Sequence, residues 1–530
     1  MSGLILFCGI VILSCIVTNK FSSKLGMPAL LLFMFLGVMF GCDGLLKLSF
    51  DDYDLTSKLC SIGLLFIIFY GGFCTKKLDD KKVTTQAILL SSVGTVLTAL
   101  LTAVFCYFVL KVSLAESFLI GAIISSTDAA SVFSILRSKR LNLKYHTAPL
   151  LEMESGSNDP FAYMLTILGI VLLKGGNTQE LVPMLFEQIG IGIFAGYAIA
   201  QAGIFIFKRT RLLTEGTDTL FVVAIALLSF AIPDMLGGNG YLSVYLTGII
   251  LGNSDIKNKV NLIYFFDGVT ALCQVIIFFL IGFLSFPHRI PEILVPAILI
   301  TAFLTFVARP IAVATIMLPF KAKLNQIIFI SSAGLRGAAS IVFAILVVAE
   351  SSLLKYDLFH IVFVVALLSV ALQGTLLPFI ARKTNMIDRF SDVRKTFNDY
   401  QQEAAITLNS IKITDRHPWN GSLLKDLEFN KNALVLSITR NNEKIMPKGD
   451  TELIAGDIVL IGTTVVQSQS DIRLCETTID ENHEWLDKKI KQIKCPNDFL
   501  IALIKRGEES FVPNGDTKIL HNDTIVFYAS

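Results

Sequence analysis

Apolar residues fall along this chain in runs of about 17–25, the length a helix needs to cross roughly 30 Å of hydrocarbon. Thirteen such intervals can be marked: 3–19, 27–41, 59–74, 84–110, 113–136, 150–173, 183–207, 218–235, 240–253, 262–286, 293–319, 326–349 and 357–381. The pattern predicts an all-α polytopic membrane protein with 13 transmembrane (TM) helices over residues 1–383. The first interval lacks a basic start and no A-x-A site follows it, so it reads as a retained span and not as a secretory leader.

Basic residues stay on the cytoplasmic side of a membrane and so report orientation. Alternate loops carry Lys20 and Lys24; Lys76, Lys77, Lys81 and Lys82; Arg137, Lys139, Arg140 and Lys144; Lys208, Arg209 and Arg211; Lys257 and Lys259; Lys321 and Lys323. The intervening loops hold only Lys47, Lys58, Lys111, Lys174, Arg289 and Lys355. Seventeen against six is a consistent alternation, and it predicts an N-terminus outside and a C-terminus in the cytoplasm.

After Arg382 the chain turns polar. Ile387, Phe390, Val393, Phe397 and Tyr400 recur at helical steps, which predicts an amphipathic linker helix within 384–412. A gapless internal repeat follows at an offset of 66: Ile413, His417, Trp419, Arg440, Pro447, Gly449, Asp450 and Asp457 return as Ile479, His483, Trp485, Arg506, Pro513, Gly515, Asp516 and Asp523. Two α+β modules are expected, at 413–470 and 477–530, each with a short helix, a strand such as Ala433–Thr439, a turn at Pro447–Asp450 and a last strand such as Asp457–Gly462.

Composition agrees with the pattern. Only 17% of the 530 residues are charged against 53% hydrophobic, and 45 basic residues nearly balance 43 acidic ones, which leaves no nucleic-acid footprint. Nine cysteines without CxxC or His-paired spacing read as reduced, buried thiols.

The chemistry lies in residues that apolar spans should not contain. The fifth interval holds Ser125-Ser126-Thr127-Asp128-Ala129-Ala130-Ser131, and the twelfth holds Ser331-Ser332-Ala333-Gly334-Leu335-Arg336-Gly337-Ala338-Ala339-Ser340. Both read Ile-Ser-Ser, a variable centre, then Ala-Ala-Ser, and an odd number of spans separates them. That predicts inverted repeats whose broken helices cross near the midplane and build an ion site. Small-residue packing would explain the Ser/Ala/Gly content but not Asp128 or Arg336.

The sixth interval holds Glu152, Glu154, Ser155, Asn158, Asp159 and Pro160, with Glu154/Asn158 and Ser155/Asp159 sharing faces by four-residue spacing. Each buried charge costs roughly 3 kcal/mol on insertion scales, so such a concentration points to function. Glu154 is expected to pair with Arg336 as a structural ion pair, leaving Asp159 to alternate between a proton and a metal ion. Asp267 is expected to line an aqueous funnel, Arg309-Pro310 to cap or kink its span, and His360 to be interfacial. A gated cation channel is the rival reading, but no TVGYG-like filter is present. An intramembrane hydrolase using Ser155 or Ser157 would need a His or Lys base in a span beside the motif.

The Thr-Asp of the fifth interval, the Glu-Ser-Gly-Ser-Asn-Asp-Pro of the sixth, the Ala-Arg-Pro of the eleventh, the Gly-Leu-Arg-Gly of the twelfth and Gln373-Gly374 resemble the monovalent cation:proton antiporter-1 family, NhaP type, over about residues 1–385. The tail resembles two TrkA-C (RCK-C) modules, as in potassium/proton antiporters of the cell-volume-regulation kind. The resemblance implies an NhaA/NhaP-like antiporter fold in a homodimer embedded in the inner or plasma membrane, and no enzyme activity or cofactor. It implies Asp159 as the exchanged carboxylate and transient ligand of K+ or Na+, Asn158 as its partner, Thr127, Asp128 and Ser155 near the ion, and Glu154 with Arg336 as a structural pair. It also implies a small-molecule regulatory ligand on the tail, such as cyclic di-AMP or another nucleotide. One departure stands out: Tyr70 occupies the place before Gly71-Gly72 where many sodium-transporting relatives carry an acid.

Overall fold

The computed structural model describes residues 2–25, 29–45, 47–48, 50–75, 80–128, 131–132, 135–136, 141, 143–209, 216–254, 256, 258–351, 353–387, 406–414, 417–427, 433–440, 443–445, 447–464, 474–479, 485–493, 499–506, 509–511 and 513–529. The chain divides into two compact units, Met1–Asp399 and Tyr400–Ser530.

Every one of the thirteen apolar intervals contains a helix. These are α1 (Ser2–Leu25) and α2 (Ala29–Phe40), α3 (Tyr53–Cys74) and α4 (Lys81–Val109), α5 (Leu114–Ile123) and α6 (Thr147–Leu173), α7 (Thr178–Arg209) and α8 (Thr217–Met235). There follow α9 (Gly240–Gly252) and α10 (Lys259–Phe283), α11 (Pro287–Met317), the pair α12 (Leu324–Ser332) and α13 (Ala338–Glu350), and α14 (Leu358–Lys383). Eight helices among the described residues are long and apolar enough to cross a membrane; α2, α5, α9 and α13 are shorter apolar helices, and α1 carries a shorter apolar stretch at Ile5–Thr18.

Three long helices are not uniform. A π turn interrupts α4 at Leu90–Gly94, α11 at Leu304–Ala308 and α14 at Ser369–Gln373. The turn in α11 immediately precedes Arg309-Pro310, where the proline ring prevents regular hydrogen bonding one turn back. Gln373 Nε2 donates to Thr305 Oγ1, so the π turns of α11 and α14 are tied to each other.

Helices α3 and α9 approach closely because both contribute glycine at the crossing. A Cβ at residue 248 would lie 2.5 Å from the Phe69 carbonyl oxygen and 3.0 Å from the Phe73 nitrogen, and one at residue 72 would lie 2.5 Å from the Tyr245 carbonyl oxygen. This crossing fixes where Tyr70 stands. His360, in the first turn of α14, is fully buried within the protein. Its Nδ1 lies 2.8 Å from Asp357 Oδ1 and its Nε2 accepts from the Phe286 amide at 2.8 Å, so it pins the start of α14 to the turn before α11. Cys8, Cys15, Cys42, Cys60, Cys74, Cys106 and Cys273 are unbridged; Cys15, Cys60 and Cys106 are buried, whereas Cys8 is exposed.

The tail unit repeats itself down to single hydrogen bonds. Strands β1 (Ile406–Lys412), β2 (Ala433–Arg440), β3 (Glu443–Ile445) and β4 (Ile458–Thr464) form an antiparallel sheet in the order β1-β4-β2-β3. Strands β5 (Leu474–Thr478), β6 (Phe499–Arg506), β7 (Glu509–Phe511) and β8 (Thr524–Ala529) repeat it as β5-β8-β6-β7. A bulge falls at Val435/Ser437 in one and at Ile501/Leu503 in the other. Each sheet starts ahead of the expected boundaries at 413 and 477, because β1 and β5 pair with the last strand of their own module. The short helices are single 3-10 turns, Leu424–Asp426 and Ile490–Gln492. Of the linker helix expected around Ile387–Tyr400, all but Ile387 lies outside the described residues.

In each module an arginine clamps the turn before the last strand. Arg440 Nε and Nη2 donate to Asp457 at 2.8 Å, and Nη2 also reaches the Glu452 carbonyl. Arg506 does the same with Asp523 and the Lys518 carbonyl. The Arg440 guanidinium holds the Asp457 carboxyl below its ordinary range. Burial raises Asp523, but Arg506 and the Leu520 amide outweigh it and the net direction is again down.

Two outcomes follow from this packing. Gly248→Val places branched atoms against the α3 backbone and should lower the stability of the detergent-solubilised protein by about 1–3 kcal/mol, whereas Gly71→Ala, with nothing within 4 Å of the added carbon, should leave thermal unfolding unchanged. In the tail, both folded carboxyls titrate below their unfolded value of about 4, so the clamps contribute fully above that pH and lose their contribution as the pH falls through the folded-state value. The chain's two tryptophans both lie in the tail, so fluorescence-monitored denaturation of the full-length protein should report constant tail stability from pH 7 to about 5, a fall below about 4, and a shallower fall in Asp457→Asn.

Candidate functional site

The two polar interruptions are unwound and touch each other. Helix α5 ends at Ile123 and the backbone runs non-helically to Asp128; α12 ends at Ser332 and α13 begins at Ala338. The Asp128 amide donates to the Leu335 carbonyl at 2.8 Å, and the space for a Cβ at Gly337 is taken by the Asp128 side chain. Unwinding inside an apolar bundle strands backbone groups that need partners. Arg336 supplies them: its Nη1 donates to the Ser125 carbonyl at 2.9 Å and to the Ser126 carbonyl at 2.7 Å. Asp128 in turn accepts from Ser131 Oγ at 2.5 Å and from the Ser131 amide at 3.3 Å, the geometry of a cap restarting the helix.

Helix α6 lies against this crossing through three side chains. Ser155 Oγ donates to the Thr127 carbonyl at 2.7 Å, Asn158 Nδ2 to Thr127 Oγ1, and Ser126 Oγ to Asp159 Oδ1. Asn158 is fully buried, and its Oδ1 has no hydrogen-bond partner among the described residues. Pro160 sits within α6 one residue after Asp159, and its carbonyl accepts from Asn239 Nδ2 at 2.7 Å. The Ser157 hydroxyl donates to the Met153 carbonyl, so both α6 serines are committed to backbone acceptors.

The expected pairing of Glu154 is corrected. Arg309 Nη2, not Arg336, forms the ion pair with Glu154 Oε1, both side chains being almost fully buried. The π turn before Arg309 lets that side chain lie across Gly334 toward α6, while Arg336 is taken up by the carbonyls of the first break. The Arg336 amide donates to Ser369 Oγ at 3.1 Å, which donates to Gln373 Oε1 at 3.0 Å, so the second break is anchored on the π turn of α14.

A cavity of about 470 Å³ opens beside the crossing. Its lining includes Ser126, Thr127, Asp128, Glu152, Ser155 and Asp159, together with Tyr70 and Cys74 of α3 and Asp267, Thr270 and Gln274 of α10. The Tyr70 hydroxyl donates to Asp267 Oδ1 at 3.1 Å. The structure thus brings together Thr127, Asp128, Ser155, Asn158 and Asp159 and places Asp267 on the same cavity. Sequence reasoning left Glu152 and Gln274 without a role. Two-turn spacings, Glu152 to Asp159 and Asp267 to Gln274, put each pair on one helix face and are the signal that finds them.

The corrected pairing has a testable signature. Arg309→Ala leaves a buried carboxylate unpaired and should cost about 3–5 kcal/mol of stability. Adding Glu154→Gln should recover part of that loss, and should recover nothing in Arg336→Ala; thermal unfolding in detergent measures both, and the reverse pattern would restore the Glu154–Arg336 pair.

Comparison with known proteins agrees with this architecture. Residues 9–383 match the family model described as sodium/hydrogen exchanger, transmembrane, and residues 409–466 and 474–530 each match a TrkA-C domain. The chain is 30% identical over 455 residues to the K(+)/H(+) antiporter NhaP2 of Shewanella baltica (strain OS223), covering 84% of this chain and 78% of that protein. It is 30% identical over 462 residues to the K(+)/H(+) antiporter NhaP of Alkalimonas amylolytica, covering 86% and 80%. The solved sodium proton antiporter MjNhaP1 of Methanocaldococcus jannaschii at pH 8 superposes with a TM-score of 0.63 at 22% identity, covering 72% of this chain and 98% of that one, and so shares the fold. A multi-pass helical unit with two touching helix breaks, followed by two TrkA-C domains, therefore belongs to the sodium/hydrogen exchanger family of membrane proteins.

Proposed function

We propose that the protein is a potassium or sodium/proton antiporter that works by electroneutral alternating access. The observation that carries this reading is Asp159, held by Ser126 and facing a cavity whose described lining includes four carboxylates (Asp128, Glu152, Asp159 and Asp267) and no lysine, arginine or histidine. A cation entering such a space meets compensating charge only from these acids. The names of the relatives support a monovalent cation as cargo.

Asp159 either holds a proton or helps coordinate a dehydrated cation, never both, so one carboxylate couples the two fluxes. Thr127 and Ser155 fix the unwound segment beside it, and Asn158 keeps one amide oxygen unengaged within the same turn of α6. The other deep acids have standing partners: Glu154 is neutralised by Arg309, and Asp128 caps the helix restart at Ser131. One exchangeable carboxylate moves as a neutral acid in one direction and as a cation-neutralised carboxylate in the other. Neither half-cycle then carries net charge, whereas one uncompensated charge would couple to voltage by about 2.3 kcal/mol per 100 mV.

The spans number thirteen in this reading, with the N-terminus outside and the tail in the cytoplasm, as the basic-loop alternation supports. A homodimer would present four tail modules, and a symmetric small molecule such as cyclic di-AMP would fit between equivalent surfaces.

The test is reconstitution into proteoliposomes. A pH dye should report exchange driven by potassium or sodium jumps, while a solid-supported membrane registers no sustained transport current. Asp159→Asn, which keeps the volume and removes the titrating charge, should abolish the dye signal with insertion intact. Retained exchange in that variant would remove Asp159 from the mechanism, and a sustained current in the native protein would show that a second charge cycles.

A further inference from the structure

The part of the cavity wall that α10 contributes has its own chemistry. Helix α10 turns Asp267, Thr270 and Gln274 toward the space at steps of three and four residues, a polar stripe on an otherwise apolar helix. Asp267 is the stripe's only charge, and it does not face the cavity bare. Tyr70, brought alongside by the glycine crossing of α3 with α9, donates its hydroxyl to Asp267 Oδ1 at 3.1 Å, and Tyr70 is itself 7% exposed. Thr270 donates to its own helix, to the Phe266 carbonyl.

The strength of the field that a wall presents decides which monovalent cation gains most from leaving water. Sodium, the smaller ion, holds its hydration shell more tightly and needs bare, strongly charged oxygens in return; potassium is cheaper to dehydrate and accepts weaker ones. A hydroxyl donating to a carboxylate oxygen removes one of its acceptor directions and draws off part of its field. We propose that Tyr70 is a specificity-determining residue: by donating to Asp267 it weakens the field of the α10 wall and biases the cavity toward the larger, more easily dehydrated cation. The inference rests on the antiport reading and adds to it the residue pair that sets the preference.

The measurement is the apparent KM for potassium and for sodium in proteoliposomes of the full-length protein, compared among the native chain, Tyr70→Phe, Asp267→Asn and the double variant. Tyr70→Phe keeps the ring and removes the donor, so the ratio of the potassium KM to the sodium KM should rise by about threefold or more, within the reach of one hydrogen bond to a charged group. Asp267→Asn should raise both constants, and adding Tyr70→Phe to it should change the ratio no further. A bond that only ties α3 to α10 would lower thermal stability in Tyr70→Phe while leaving the ratio unchanged, and that outcome overturns the proposal. A ratio shift that persists in the double variant overturns it as well. If Tyr70→Phe does not insert, Asp267→Asn decides alone, because unchanged constants for both ions would exclude Asp267 from the cation path. Native protein without cation-dependent proton movement would overturn the antiport reading and this inference together; native exchange with an unmoved ratio overturns only the inference.

Discussion

A peptide unwound in the middle of an apolar bundle must find partners for its amides and carbonyls, and that requirement organises the membrane unit. The two breaks satisfy part of it through each other, with the Asp128 amide on the Leu335 carbonyl. Arg336 satisfies more, bridging from the second break to two carbonyls of the first. The guanidinium suits this position because it carries several donors in a rigid fork and stays charged when buried. Small residues around the crossing follow from the same demand, since Asp128 fills the place of a side chain at Gly337.

Charge placement extends from there. Glu154 and Arg309 neutralise each other next to the crossing, and the π turns of α11 and α14 re-aim the chains that carry Arg309, Ser369 and Gln373. Gln373 links the two turns by accepting from Ser369 and donating to Thr305, so the second break is held from both sides. Asp159 lies beside this network, bonded to Ser126 and lining the cavity. In the antiport reading proposed above, Asp159 is the carboxylate that exchanges its proton for a cation, and the paired acid Glu154 belongs to the scaffold.

The tail follows a different logic, because its stability comes from small sheets with compact cores. Ile413, Ile438 and Val459 fill one module, and Ile479, Ile504 and Ile525 fill its copy at the same offset. The Arg440–Asp457 clamp and its copy fasten the turn before the last strand, and each aspartate is fully covered while its arginine remains partly exposed. Duplicate modules with duplicate hydrogen bonds supply two equivalent surfaces per chain.

Several features were legible in the amino-acid order because they depend on local composition. Apolar runs, the Ser-rich interruptions and the offset of 66 are properties of neighbouring residues, and each appears as a helix, a break or a repeated module. What the sequence left open were choices among distant partners. Two arginines were available to one glutamate; a π turn at Leu304–Ala308 gave Glu154 to Arg309, and stranded carbonyls claimed Arg336. His360 stands at the start of its span as its position suggested, but its partners, an amide from Phe286 and the carboxylate of Asp357, were not legible. Strands β1 and β5 fell ahead of the visible repeat because antiparallel pairing with the last strand of each module, not residue identity, places them. Tyr70 and Asp267 lie 197 residues apart, and only the glycine crossing of α3 with α9 and the packing of α3 on α10 bring the hydroxyl to the carboxylate. Local order fixes which groups exist, and three-dimensional packing decides which of them meet, because hydrogen bonds act over about 3 Å and the chain folds back over tens.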